Sequence, residues 1–162
     1  MNLDNQRDRE DIQKKIGKLK EAGHKIGLCH GCFDFIHFGH ILHFQEAKRN
    51  CDYLVVSVTT DEFVNKGPGR PLFDINRRLI VLGELKSIDF IFESKSKDAL
   101  DELRYFQPNI YFKGGDYSSN EIHNPAFELE KDYALSIGTK VVLTKGDRSS
   151  TTYLINEIKK IL

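Results

Sequence analysis

Gly31-Cys32-Phe33-Asp34-Phe35-Ile36-His37-Phe38-Gly39-His40 sets two histidines around a glycine where an apolar strand pattern gives way to a helical one. Upstream, Lys25 to Cys29 reads as a short strand with Ile26 and Leu28 on one face, and Gly31 then permits a tight turn. From about Phe38 to Asn50 the pattern is helical, with His40, Phe44, Ala47 and Lys48 recurring at three- and four-residue steps. A helix start offers unpaired backbone N–H groups and the positive end of a dipole, and both attract an anion. Gly39 lets that backbone approach closely. His37 and His40 fall on one side of the first turn, where they donate to phosphate oxygens and add positive charge if protonated.

Outward from this turn the chain alternates helices and short apolar strands. Asp4 or Asn5 is placed to cap an opening helix with Ile12, Ile16 and Leu19 as its stripe and Gly23 as its stop. Tyr53 to Val58 reads as a strand covered on both faces, Ile75 to Lys86 as a helix and Asp89 to Phe92 as a third strand. A helix from about Lys97 to Phe106 precedes a strand at Ile110 to Phe112. Asn124-Pro125 starts a further helix, Gly138 stops it, Lys140 to Leu143 forms a fifth strand, and Thr151 to Leu162 closes the chain as an amphipathic helix. This alternation predicts a single-domain α/β fold, a doubly wound, Rossmann-like parallel sheet of five strands. Ligands bind such sheets beyond the carboxyl ends of the strands. The histidine turn, Asp61, Lys113 to Asp116 and Ser149 to Thr152 each follow a strand, so all four lie at that edge.

Composition narrows the classes. At 162 residues the chain suits one domain, and 40% hydrophobic residues is ordinary for a globular protein. Lysine plus arginine equals aspartate plus glutamate at 24 each, so no global field steers it onto nucleic acid or an anionic membrane, and an anion site must be local. The polar start, Met1 to Glu10, lacks a secretory signal's apolar core, no run approaches the roughly 18 apolar residues of a membrane span, and three cysteines cannot all pair within one chain. A cytoplasmic protein is expected.

The ten-residue stretch matches every fixed position of GxFDxxHxGH, and in this it resembles the cytidylyltransferase-like nucleotidyltransferases. The resemblance continues through Ala47-Lys48, Thr60-Asp61-Glu62-Phe63, Lys66-Gly67-Pro68-Gly69-Arg70-Pro71, Asn76-Arg77-Arg78, Lys113-Gly114-Gly115-Asp116-Tyr117 and Ser150-Thr151-Thr152. It thus covers nearly everything after about residue 24, with residues 25–162 as the nucleotidyltransferase domain and 1–24 as a helical extension that packs on the sheet or contributes to a dimer. The Lys113 segment and the serine-threonine-threonine ending are most similar to adenylyltransferase domains that activate heptose 1-phosphate; glycerol-3-phosphate cytidylyltransferase is the nearest competitor.

The resemblance implies transfer of a nucleoside monophosphate from a nucleoside triphosphate to a sugar phosphate, with pyrophosphate released, Mg²⁺ accompanying the nucleotide, and a homodimeric enzyme. His37, His40, Lys66 and Arg78 are the implied catalytic residues. Gly31, Cys32, Phe33, Asp34, Gly39, Lys48, Lys113, Gly114, Asp116, Ser150, Thr151 and Thr152 are the implied nucleotide-binding ones. Asp34 reads equally as a ligand-facing carboxylate or as the group that fixes the turn by accepting N–H bonds. Asp116 binds ribose or orders its loop, and the Ser150–Thr152 hydroxyls cap a helix while holding phosphate. Where the cytidylyltransferases carry two further arginines this chain has Lys86 and Lys145, and lysine does not reproduce a guanidinium's two-pronged grip. Cys29-His30-Gly31-Cys32 has a metal-like spacing, but its side chains run along a strand and a turn in different directions, which favours a buried apolar role for Cys29. His43 reads as structural.

Overall fold

A computed structural model describes residues 8–114, 124–145 and 160–161. Five parallel strands, β1 (Ile26–Gly31), β2 (Tyr53–Thr59), β3 (Phe90–Ser94), β4 (Ile110–Lys113) and β5 (Lys140–Leu143), form one sheet in the order β3-β2-β1-β4-β5. The register sets Cys29 beside Val56 on one side and Phe112 on the other. Because strand side chains alternate, the sheet feeds two cores. Cys29, Val56, Val58, Ile91 and Phe112 face α2 (Phe38–Arg49) and α3 (Ile75–Gly83). Ile26, Leu28, Val55, Phe92 and Tyr111 face α1 (Arg9–Glu21), α4 (Leu100–Phe106) and α5 (Pro125–Ser136). The doubly wound reading therefore holds, and the winding reverses between β1 and β4.

Helix boundaries show where local signals yield to distant partners. The cap of α1 is Asp8, whose carboxylate accepts from the N–H groups of Glu10 and Asp11 at 2.8 and 2.9 Å; Asp4 and Asn5 lie outside the described residues. The α1 stripe is spent on the sheet: Ile12 and Ile16 are fully buried, Arg9 pairs with Glu102 at 2.9 Å, and Lys20 Nζ donates to the Gln107 carbonyl at 2.8 Å. α4 begins at Leu100 rather than near Lys97, and the N–H groups ahead of it are held by carboxylates, Ala99 by Glu130 at 2.9 Å and Leu100 by Asp98 at 3.0 Å. α3 stops at Gly83 rather than Lys86. Asn124 caps α5 through its side chain, Pro125 opens the helix, and Gly138, at a φ of 78°, turns the chain into β5. The expected closing helix, Thr151 to Leu162, falls almost wholly outside the described residues. Among the described residues no helix is long and apolar enough to cross a membrane.

Candidate active site

β1 delivers the chain to the carboxyl edge of the sheet, and α2 leaves from there with His37 as its cap residue. His37 makes no side-chain cap bond and the first turn of α2 holds no acidic residue, which leaves the positive end of the helix suited to an anion. Gly31 leaves room for a ring. A Cβ there would lie 3.0 Å from the Phe33 ring, which folds back over it from a left-handed backbone, φ 47°. That ring then packs edge-on to His40, with centroids 5.5 Å apart, and against Phe44 at 5.1 Å. The strained Phe33 backbone is thus repaid by fixing the imidazole.

His37 and His40 stand face to face, ring centroids 3.9 Å apart and 33° from parallel. Burial, then the neighbouring His37, His43 and Lys66, push the His40 imidazole down to about 3, against a smaller opposing pull from the Phe35 backbone. At neutral pH His40 is therefore uncharged and serves as a hydrogen-bond donor, not as the cation that the sequence allowed. His43 is likewise held neutral, at about 4, by burial and Lys113; its Nδ1 meets Thr144 Oγ1 at 2.8 Å, which ties α2 to the end of β5. Cys32 is buried, and burial raises its thiol.

Asp34 and Arg78 turn inward. Asp34 is 2% exposed; Arg70 lies 2.7 Å from one oxygen and the Phe73 N–H donates to the other at 3.0 Å. Burial alone would raise this carboxyl, but the N–H groups of Phe73 and Leu72, with Arg70, bring it below its ordinary value. Of its two readings, the structure shows the carboxylate accepting N–H bonds, though from the 70–73 loop rather than its own turn. Arg78, 1% exposed, donates to the Cys32 carbonyl, to the Phe73 carbonyl at 2.9 Å and to Asp61 Oδ1 at 2.6 Å. Its guanidinium thus acts through the loops it joins. Lys66 is exposed, four residues before the Arg70 anchor, and its charge reaches His40 and Cys32.

Two lysines expected as nucleotide ligands are engaged within the protein. Lys48 sits in the last turn of α2, bonded to Asp89 at 2.7 Å and to the Asp52 carbonyl, beside the starts of β2 and β3. Ten residues of helix at about 1.5 Å each carry it roughly 15 Å from the histidine end, so it belongs to the opposite edge of the sheet. Lys113 ends β4, but its ammonium is bonded to Glu130 at 2.6 Å and to the Tyr111 hydroxyl at 2.8 Å, on the α5 side. Gly114 faces open space. Gly39 is buried in the first turn of α2. Asp116, Ser150, Thr151 and Thr152 lie outside the described residues, as do Gly115 and Tyr117.

The C-x-x-C spacing does not converge. Cys29 enters the core under α2, whereas His30 turns to the other face and bonds Ser57 Oγ at 2.9 Å. Arg70 and Phe73 are the site residues to which the sequence drew no role. An aspartate unable to satisfy itself within its own turn signals such a partner, but only the fold names which arginine it meets.

Comparisons with known proteins agree with this geometry. A sequence model described as Cytidylyltransferase-like matches residues 28–162. The bifunctional protein HldE of Caulobacter vibrioides is 35% identical over 151 residues, which is 91% of this chain and 30% of that protein. Its namesake from Pseudomonas putida strain F1 is 32% identical over 153 residues, 93% of this chain and 31% of the relative. The chain thus spans under a third of these curated relatives. A crystal structure of a lipopolysaccharide core biosynthesis protein from Thermoplasma volcanium aligns with a TM-score of 0.64 at 30% identity, covering 77% of this chain and 99% of the other. The pantoate-beta-alanine ligase of Francisella tularensis shares the fold, with a TM-score of 0.57 at 17% identity over 85% of this chain and 66% of that one. With its motif complete and its histidines paired at the switch-point edge, the chain belongs to the cytidylyltransferase-like family of nucleotidyltransferases.

Proposed function

We propose that the protein transfers a nucleoside monophosphate from a nucleoside triphosphate to a sugar phosphate, and that its pair is ATP and heptose 1-phosphate, giving ADP-heptose. The observation that carries the reaction type is the His37–His40 pair at the uncapped start of α2. The ATP and heptose choice rests on the likeness of Lys113 to Tyr117 and on the lipopolysaccharide-core structural neighbour.

An oxygen of the acceptor phosphate bonds to the α-phosphorus in line, the bond from that phosphorus to the bridging oxygen breaks, and pyrophosphate leaves with the electron pair. The neutral His40 imidazole N–H, with His37 beside it, and the N–H groups of the first α2 turn hold the phosphoryl oxygens as charge builds on them. Lys66 brings positive charge from its loop. Mg²⁺ accompanying the nucleotide would neutralise charge on the triphosphate. Assembly as a homodimer is supported by Phe38, Ile41 and Leu42, an exposed apolar row on α2.

The test is a matrix of ATP, CTP and GTP against heptose 1-phosphate and glycerol 3-phosphate, read as pyrophosphate release. His40→Ala is expected to lower turnover roughly 10²- to 10³-fold, the loss of one preorganised donor. Activity within threefold of the parent rejects its role. Tight nucleotide binding without release for any acceptor rejects transfer in favour of a binding module.

A further inference from the structure

Beside the histidine turn lies a cavity of about 200 Å³. Phe35, Ile36, Phe73 and Val81 make its apolar bed. The Phe35 and Phe73 rings lie 15° from coplanar with centroids 6.2 Å apart, and each is more than a third exposed, at 36% and 37%. Asp34, Arg77 and Arg78 supply the charged part of the wall. Asp34 is occupied by Arg70 and the Phe73 N–H, and Arg78 by Asp61 and two carbonyls. Arg77 differs from both. Its side chain is 69% exposed and is held only at 3.4 Å by Asp74, on the same turn.

Position then selects the occupant. The sheet reverses its winding between β1 and β4, and that crevice is where a nucleotide belongs. The cavity is on the other flank. Its far wall is α3, which follows β2, and β2 pairs with β1 on the side away from β4. In-line displacement needs the attacking oxygen opposite the departing pyrophosphate, so with triphosphate on one flank of the histidines the second substrate arrives from the other. Phe35 and Ile36 immediately precede His37, which makes the cavity continuous with that approach.

Resting on the nucleotidyl-transfer reading, we propose that this cavity is the acceptor subsite: it takes a phosphate monoester whose carbon skeleton lays a C–H face on Phe35 and Phe73, with Arg77 pairing the phosphate at the rim. The remaining walls leave few hydrogen-bond partners for hydroxyl groups that point inward, so the acceptor's polar groups face outward, toward the solvent.

Two surface substitutions on α3 test this without emptying the core. Val81 is 48% exposed, and Val81→Phe puts a ring into the cavity; Arg77→Ala removes the rim cation. Heptose 1-phosphate is the acceptor in steady-state assays and phenyl phosphate the probe in calorimetric titrations of parent and variants. Each variant is expected to raise the acceptor KM, and to weaken phenyl phosphate, by about tenfold or more, the scale of one charge-assisted contact, while the Kd for ATP stays within twofold. Acceptor KM and phenyl phosphate affinity both unchanged in Val81→Phe overturns the subsite, as does a parent that shows no saturable phenyl phosphate binding. Failure of the transfer reading looks different: the parent then releases no pyrophosphate with any acceptor, while the phenyl phosphate comparison still decides the cavity.

Discussion

Glu130→Ala tests whether the strand-end lysine belongs to the core or to the ligand. Glu130 is 2% exposed, and its carboxylate accepts from Lys113 Nζ at 2.6 Å, from the Tyr111 hydroxyl at 2.8 Å and from the Ala99 N–H at 2.9 Å. The substitution leaves a buried ammonium, a phenol and a backbone N–H without their acceptor. Breaking a buried pair from one side costs about 3–5 kcal/mol, because the surviving charge stays desolvated. For a chain of this length each kcal/mol moves Tm by about 3 °C, so the loss is roughly 9–15 °C. Urea unfolding at pH 7.5 should show a lowered midpoint at unchanged slope. The double variant Lys113→Met, Glu130→Gln removes both charges and keeps an acceptor, and it should recover at least half of the loss. In that double variant ATP affinity should remain within threefold of the parent. A cost below about 1 kcal/mol for Glu130→Ala would mean that the pair is open to water and weak, refuting the burial argument. A tenfold loss of ATP affinity in the stable double variant would return Lys113 to the nucleotide.

Acid should destabilise the protein through histidines that are buried without charge. His30 and His40 are held at about 3 and His43 at about 4, mainly by burial, below the ordinary 6.5. Their unfolded forms bind protons first, so the stability present above pH 6.5 is lost as pH falls from there toward 4, at up to about 4 kcal/mol per pH unit for three sites. A urea midpoint unchanged between pH 7 and 5 contradicts this. The Asp34–Arg70 anchor should act through Lys66: Arg70→Ala and Lys66→Ala each lower turnover, and the double variant falls little further than Lys66→Ala alone. Additive losses would show that the anchor does not serve Lys66.

How far the sequence could be read depended on the distance between partners. The strand runs Ile26 to Cys29 and Tyr53 to Val58 announced themselves by composition, and Asn124-Pro125 announced α5 by local cap chemistry. Lys48 was assigned to the site on resemblance, although helix rise alone carries it to the other edge. Arg78 could be read only in part from its neighbours: the Phe73 carbonyl is five residues away, but Asp61 and Cys32 are 17 and 46 away. The carboxylate that holds the Ala99 N–H ahead of α4 is likewise distant, on α5, 31 residues on. Gly31 was marked for a turn, and only the strained Phe33 shows that a ring needs the space.

The neutrality of His40 changes where the site's positive charge must come from. Protonating His40 beside a ring 3.9 Å away adds repulsion to the cost of burial, so His40 is suited to donate a hydrogen bond and not to attract the triphosphate from a distance. Attraction then falls to the open start of α2 and to the exposed Lys66. The arginines, by contrast, are mostly turned to structure. Arg70 and Arg78 hold the 66–73 loop against Asp34, Cys32 and Asp61, which is why a loop rich in glycine and proline can present one exposed lysine to the histidines. Division of labour follows from burial: cations that the fold has desolvated must be paired internally, and only one left in water remains available to a substrate that arrives with its own negative charge.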